Sequence, residues 1–357
     1  VAMSGGVDSS VAAALMVERG YQVIGLTLQL YDYGTGTGNQ RTCCAGRDIY
    51  DARRVAARLN IPHYVLDYED RFKQAVIEDF ADSYIRGSTP IPCVRCNQRI
   101  KFQDLLKTAR SLNARALVTG HYVRRIATRD QTELHKASDL MRDQSYFLFT
   151  TTFDQLEYLR FPLGDLGKGE TRDLAANFNL PVASKPDSQD ICFVPDGDYA
   201  RTIEKLRPGA SEPGDIVLEG HGVVGQHSGI IHFTVGQRHG LGLSWPEALY
   251  VLRLDPRSRE VLVGPKSSLQ VTQIAINSIN WLDSDLATLE ETNLIVKIRS
   301  AHSGTSARVR VLPENRAEVV FDTPPGAVSP GQAAVFYEGT RLVGGGWIEQ
   351  PSTNSNK

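Results

Sequence analysis

The feature that most constrains this chain is a change of hydrophobic period near Pro208. Upstream of it, strand-like and helix-like runs alternate. Downstream, almost every run is short and alternates apolar with polar residues. Helical stripes and two-residue alternation build different layers, so the chain must fold as separate domains. Its 357 residues agree with that, at roughly 150 residues per domain.

Upstream, the spacing predicts a helix over Ser9–Arg19 stopped by Gly20, then a buried strand over Val23–Leu28. Ile49, Ala52, Val55, Ala56 and Leu59 repeat at helical spacing until Asn60 and Pro62, and His63–Asp67 follows as a strand. Further helices are expected over Arg71–Ile85, Asn97–Leu112, Asp154–Leu159 and Gly169–Phe178, with a short strand at Ala116–Thr119. This alternation predicts an α/β domain with a doubly wound parallel sheet, whose ligands bind at the carboxyl ends of the strands. Downstream, Asp215–Leu218, Ile230–Phe233, Leu249–Leu252 and Glu260–Val263 predict a small β-rich central domain. Leu294–Arg299, Ala307–Val311, Ala317–Phe321 and Ala333–Tyr337 predict a C-terminal all-β barrel. The expected domains are therefore 1–198, 207–266 and 268–350.

Composition serves mainly to exclude. With 41% apolar residues and a net charge of −2, the chain is neither a disordered tail, nor a collagen-like repeat, nor a disulfide miniprotein. No run approaches the ~18 apolar residues of a membrane span, so no membrane partner is expected. Five cysteines at irregular spacing, with no signal peptide, point to working thiols in the reducing cytoplasm. A motif begins almost at Val1, so a few residues of an opening strand are expected to precede it.

That motif is Ser4-Gly5-Gly6-Val7-Asp8-Ser9. Small residues between a strand and a helix leave backbone N–H groups free to surround a phosphate at the positive helix end. Ser4 and Ser9 add hydroxyls, and Asp8 can help hold a divalent cation such as Mg2+. The lysine of a Walker A loop is missing. Gly34-Thr35-Gly36-Thr37-Gly38 has the wrong spacing for a dinucleotide fingerprint and is expected to be a surface loop.

A second motif, Thr89-Pro90-Ile91-Pro92-Cys93-Val94-Arg95-Cys96-Asn97, places two cysteines ahead of an expected helix, near Arg95, Arg99 and Lys101. Helix dipole and cations together favour a thiolate. Zinc would call for a second cysteine pair, which the chain lacks, while a redox disulfide stays open. A third, Lys185-Pro186-Asp187-Ser188-Gln189-Asp190-Ile191-Cys192-Phe193, holds one cysteine in a charged, proline-broken stretch; taken alone, it fits a structural role as well as a chemical one. Cys43 and Cys44 match no motif and are expected to be structural or incidental. Between Arg95 and Arg125, eight Lys/Arg face one acid, Asp104, a local excess suited to an RNA backbone. Lys297, Arg299, Arg308 and Arg310 alternate, which predicts one basic face.

The first motif resembles the pyrophosphate loop of the PP-loop ATP pyrophosphatases. The three motifs, with Thr119–Tyr122, Asp143–Leu148, Thr234–Gly242 and Pro330–Tyr337, follow the order of the tRNA-specific 2-thiouridylase family. The resemblance spans nearly the whole chain. It implies a PP-loop, HUP-like first domain and an enzyme that replaces the C2 oxygen of the wobble uridine of tRNA with sulfur, after adenylating that oxygen with ATP. By the same resemblance Ala2, Met3, Ser4, Gly5, Gly6, Val7, Asp8, Ser9, Leu28 and Gly120 bind ATP. Cys96 is the nucleophile, and Cys192 carries a persulfide received from a sulfur carrier or cysteine desulfurase. A Cys96–Cys192 disulfide is left for reduction. Ile91, Pro92, Cys93, His121, Arg142, Asp143, Gln144, Arg299, Ser300 and Gln332 meet the anticodon stem-loop of tRNA, with the target base flipped out.

Cys93 stands where the family often has an aspartate. That substitution opens an alternative in which Cys93, Cys96 and Cys192 hold a [4Fe-4S] cluster delivering sulfide. Two other readings are a different PP-loop adenylating synthetase, which has no use for the two cysteines, and a non-catalytic tRNA-binding protein with a vestigial ATP site.

Overall fold

The computed structural model describes residues 1–31, 44–187, 190–194 and 196–351. The Gly34–Gly38 run and Cys43 lie outside them, as does the side chain of Cys44. The chain divides into two compact units: one is Val1–Val76, Val94–Gln189 and Thr340–Leu342, the other Ile77–Cys93, Asp190–Gly339 and Val343–Lys357.

In the first unit the strands are β1 (Gly25–Gln29), β2 (His63–Asp67), β3 (Leu117–Val118), β4 (Val123–Ala127), β5 (Thr132–Lys136) and β6 (Leu159–Arg160). β1 pairs in parallel with β2, and β3 with β6. The opening residues join the two pairs. Ala2 bridges Leu26 in parallel register, and its N–H donates to Val118 O at 2.9 Å. The spatial order is β2-β1-(1–3)-β3-β6, which reverses at the opening segment, where doubly wound sheets place their ligands.

Helix α1 (Val7–Glu18) leaves that segment directly and is buried over Val7 and Ser9–Met16, on nearly every side. Its expected stop holds: Gly20 takes φ +80°, and the Tyr21 N–H reaches back to Met16 O at 3.1 Å. Helix α2 (Cys44–Arg58) ends in the same way at Asn60, φ 53°. Val11, Leu15, Val55, Leu163, Leu180 and Val182 share this unit's core. Each such side chain contributes about 1.5–3 kcal/mol on burial. The β4–β5 hairpin was missing from the sequence expectations; β5 also pairs with Arg341 and Leu342.

The second unit holds two β assemblies. β7 (Gly214–Leu218), β8 (Gly222–His227), β9 (Tyr250–Asp255) and β10 (Glu260–Gly264) form a sheet ordered β8-β7-β10-β9. The strand expected over Ile230–Phe233 is instead a 3-10 turn, Ile230–His232, with Ile230 and Ile231 buried. An unalternating apolar run fits a buried turn as well as a strand. β11 (Gln273–Trp281), β12 (Glu291–Lys297), β13 (Thr305–Leu312), β14 (Arg316–Phe321), β15 (Ala333–Glu338) and β16 (Arg341–Ile348) run β11-β14-β13-β12-β15-β16. Pairing of Ile276 with Ile348 closes them into a six-stranded barrel, as expected. A register shift between Asn277 and Asn280, with Ser278 at φ 51°, bends β11 at the closure. Alternation along β13 sends Ala307 and Val309 inward and Arg308 and Arg310 outward. Lys297 departs from the expected basic face: it is buried, its ammonium 6.0 Å from the Tyr337 ring centroid. Among the described residues no helix is long and apolar enough to cross a membrane.

Candidate nucleotide and thiol sites

The Ser4–Ser9 loop lies at the carboxyl end of the opening segment, at the sheet's reversal point. Gly5 takes φ +75°, and a Cβ there would fall 2.1 Å from Asp48 O, so no other residue fits. Gly120 is equally tight, since its Cβ would stand 2.7 Å from Ser9 N. Gly6 differs: a Cβ there would meet only the Ser4 hydroxyl, at 3.5 Å. Gly6 is also the N-cap of α1 and supplies no capping side chain. The Ser4 N–H donates to Ser9 Oγ at 3.1 Å, and Ser10 Oγ donates to Gly6 O at 2.7 Å, which fix the loop from within. A glycine cradle before an uncapped helix start suits a polyphosphate. Ala2 and Met3 tie the opening segment to β3 and β1 through backbone hydrogen bonds, Gly120 lies against the Ser9 backbone, and Leu28 lies half-buried toward the carboxyl end of β1.

A polar network surrounds Asp8. Its Oδ1 lies 2.8 Å from the Tyr122 hydroxyl and 2.7 Å from Lys168 Nζ. The same Lys168 Nζ lies 2.8 Å from Asp187 Oδ1. Asp187 also receives Arg172 at 2.9 Å and Arg142 at 3.1 Å. Burial would raise the Asp187 pKa, but the hydrogen bond and charge of Lys168, with Arg172 and Arg142, hold it below the usual carboxylate value. Lys185 reaches Gly5 O at 3.0 Å, Asp48 at 2.7 Å and Asp51 at 2.6 Å. Burial would lower its pKa, and the hydrogen bonds and charges of those two aspartates raise it instead. Burial first, then Asp8, pushes Tyr122 up and keeps it protonated.

Sequence reasoning missed Lys168, Tyr122, Lys185, Asp187, Asp48 and Asp51. Lys185 and Asp187 lay inside a quoted motif where only the cysteine was weighed. Lys168 had its own signal, because a lysine in a helix's first turn opposes the macrodipole and needs a reason. Asp8 fits a place beside a metal-bound polyphosphate, although Lys168 and Tyr122 hold its Oδ1 here. Among the described residues no three His, Cys, Asp or Glu side chains form a metal-holding group.

Residues expected at RNA fall into two sets. In the first unit, His121 Nδ1 lies 2.8 Å from Thr119 Oγ1, with its ring edge-on to Phe102 and Phe161. Burial, helped by the charge of Lys101, pushes its pKa well below 6.5. Gln144 brackets Tyr122, accepting from its N–H at 2.9 Å and donating to its carbonyl at 3.0 Å. Asp143 caps Ala137 and Ser145 N–H groups. In the second unit Arg299 and Ser300 are exposed on the β12–β13 turn, and Gln332 Nε2 donates to Thr89 O at 3.0 Å. Ile91 and Pro92 are buried there and Cys93 exposed. The basic excess is partly neutralised, since Arg110 pairs with Asp154 and Arg125 with Glu157.

All three described cysteines are thiols. Cys96 does not precede a helix as expected. A short α-helix over Pro92–Arg95, which contains Cys93, comes first, and Cys96 opens the π-helical stretch Cys96–Leu105, so both cysteines lie within the helical run. Its neighbour Asn97 is buried, donating to Phe147 O at 3.2 Å and accepting from Lys101 at 3.0 Å. Cys192 is exposed. Asp190 fixes its turn, accepting from Ile191 N–H at 2.7 Å and from the Tyr199 hydroxyl at 2.8 Å. Phe193 packs edge-on to Phe80 at 5.2 Å.

The sheet order and the glycine loop at its reversal point define the class: a HUP-type domain followed by two β domains. Three family models match accordingly. One described as the tRNA methyl transferase HUP domain covers residues 1–196, the tRNA methyl transferase PRC-barrel domain covers 203–265, and the aminomethyltransferase beta-barrel domain covers 271–348. The tRNA-specific 2-thiouridylase MnmA of Rickettsia bellii is 56% identical over 98% of this chain and 95% of its own length. Those of Rhodospirillum centenum and Paracoccus denitrificans are 58% and 56% identical over 98% of this chain and 90% of their own. The chain belongs to the tRNA-specific 2-thiouridylase family of enzymes.

Proposed function

We propose that this chain carries out ATP-dependent 2-thiolation of the wobble uridine of tRNA in the cytoplasm, with domains 1–198, 207–266 and 268–350. The observation that carries the reading is the near-full-length identity to thiouridylases, joined to an open glycine cradle at the sheet's reversal point. Ser4–Ser9 hold the ATP phosphates, with Ala2, Met3, Leu28 and Gly120 around the nucleoside. Mg2+ beside Asp8 would neutralise polyphosphate charge. The uridine C2 oxygen attacks the α-phosphorus and pyrophosphate leaves, which turns that oxygen into part of an AMP leaving group.

Cys192 receives a persulfide from a sulfur carrier or cysteine desulfurase, and its exposure suits loading by another protein. The Cys96 thiolate then attacks the inner sulfur. The S–S bond breaks, a Cys96–Cys192 disulfide forms, and the released hydrosulfide adds to C2 and expels AMP. In the direct variant the persulfide's terminal sulfur bonds C2 first, and Cys96 then cleaves it from Cys192. Either route ends at the same disulfide and needs an external dithiol as a two-electron reductant. Ile91, Pro92, Cys93, His121, Arg142, Asp143, Gln144, Arg299, Ser300 and Gln332 are the proposed tRNA contacts. His121, kept neutral by burial, can offer or accept one hydrogen bond at the base.

Incubation with ATP, a persulfide donor and a tRNA transcript tests this. AMP and 2-thiouridine should appear together, and Gly6→Ala, which adds a methyl to the loop, should raise the KM for ATP about tenfold or more. AMP without RNA-bound sulfur would favour another adenylating synthetase; neither product would favour a non-catalytic binder.

A further inference from the structure

Arg142, Asp187, Lys168 and Asp8 form an unbroken chain of contacts of 3.1, 2.8 and 2.7 Å within the first unit. Its outer end is open: the Arg142 side chain is 45% exposed, in the turn whose Met141 is 91% exposed. Its inner end is the phosphate cradle. The middle is sheltered, with Lys168 12% and Asp187 19% exposed, so charge changes there are weakly screened. Lys168 shares one ammonium between two carboxylates, so a change in the charge around either one alters its pull on the shared cation.

We propose that Asp187 is a positioning residue that couples RNA binding to nucleotide binding by deciding which carboxylate holds Lys168. This rests on the reading of Arg142 as an RNA contact. An RNA phosphate that takes Arg142 removes one of the cations that face Asp187. Asp187 then draws Lys168 closer and loosens its hold on Asp8, whose carboxylate, still accepting from the Tyr122 hydroxyl, can face the cation carried by MgATP. By linkage MgATP favours the same rearrangement, so RNA and MgATP each strengthen the other's binding. Adenylation chemistry would thereby wait for a substrate to accept it.

Equilibrium binding of MgATP by the full-length protein, with and without saturating tRNA transcript, tests the coupling. Wild type should bind MgATP about fivefold or more tightly with RNA present, within the range usual for coupled sites. Asp187→Asn should bind MgATP equally with and without RNA. Arg142→Gln, at a surface position, should reproduce much of the tightening with no RNA at all, and Lys168→Met should make Arg142→Gln silent. An unchanged MgATP affinity in Arg142→Gln overturns the proposal, as does wild-type coupling of unity, weaker binding with RNA, or undiminished coupling in Asp187→Asn. If tRNA fails to bind while Arg142→Gln still tightens MgATP, the thiolation reading falls and the network stands.

Discussion

Cys96 and Cys192 occupy opposite kinds of surroundings. Cys96 is buried at the start of a wide helical stretch, beside an asparagine locked by two hydrogen bonds. Cys192 is exposed on an irregular turn held by one carboxylate and an aromatic contact. A thiol that must be loaded by another protein needs access. One that must cleave a bond in a fixed direction needs restraint and exclusion of water. The burial of each sulfur accords with the two-thiol chemistry proposed above.

Replacing the restrained thiol should have the largest effect. Cys96→Ala should lower thiolation at least about thousandfold with either a persulfide donor or free sulfide, measured as 2-thiouridine per tRNA. Normal thiolation by that variant would sink the assignment. Cys192→Ala should lower transfer from the persulfide donor about hundredfold yet retain activity with free sulfide; equal losses with both donors would erase the contrast. Alkylation should separate the two thiols more gently: iodoacetamide, followed by peptide mass spectrometry, should modify Cys192 about tenfold faster than Cys96. The smallest effect concerns His121. Its folded pKa lies below 6.5, so the unfolded chain takes up a proton first as pH falls, and stability is lost from about pH 6.5 downward. The stability cost of His121→Asn, read from urea midpoints, should therefore shrink between pH 7.5 and 5.5.

Much of the fold was legible. The α1 stop at Gly20, the α2 stop at Asn60 and the barrel strands over 305–312 and 316–321 follow from local turn chemistry and alternation. The geometry of the Ser4–Ser9 loop was legible for the same reason, because it is dictated by adjacent small residues. Ile230–Phe233 misled because three apolar residues carry no period. Lys297 misled because alternation predicts a face only where both faces of a strand exist as expected, and its ammonium is turned toward Tyr337. The basic run between Arg95 and Arg125 looked more cationic than it is, since Asp154 and Glu157 come from a later helix.

By itself, the sequence determined the domain classes, the place of the glycine cradle and the two thiols worth testing, since each depends on neighbours within a few positions along the chain. Only the tertiary structure decided which charge answers which. Asp8, Lys168 and Asp187 lie far apart in sequence, and hydrogen bonds and ion pairs act over ~3–4 Å of space whatever length of chain separates the partners.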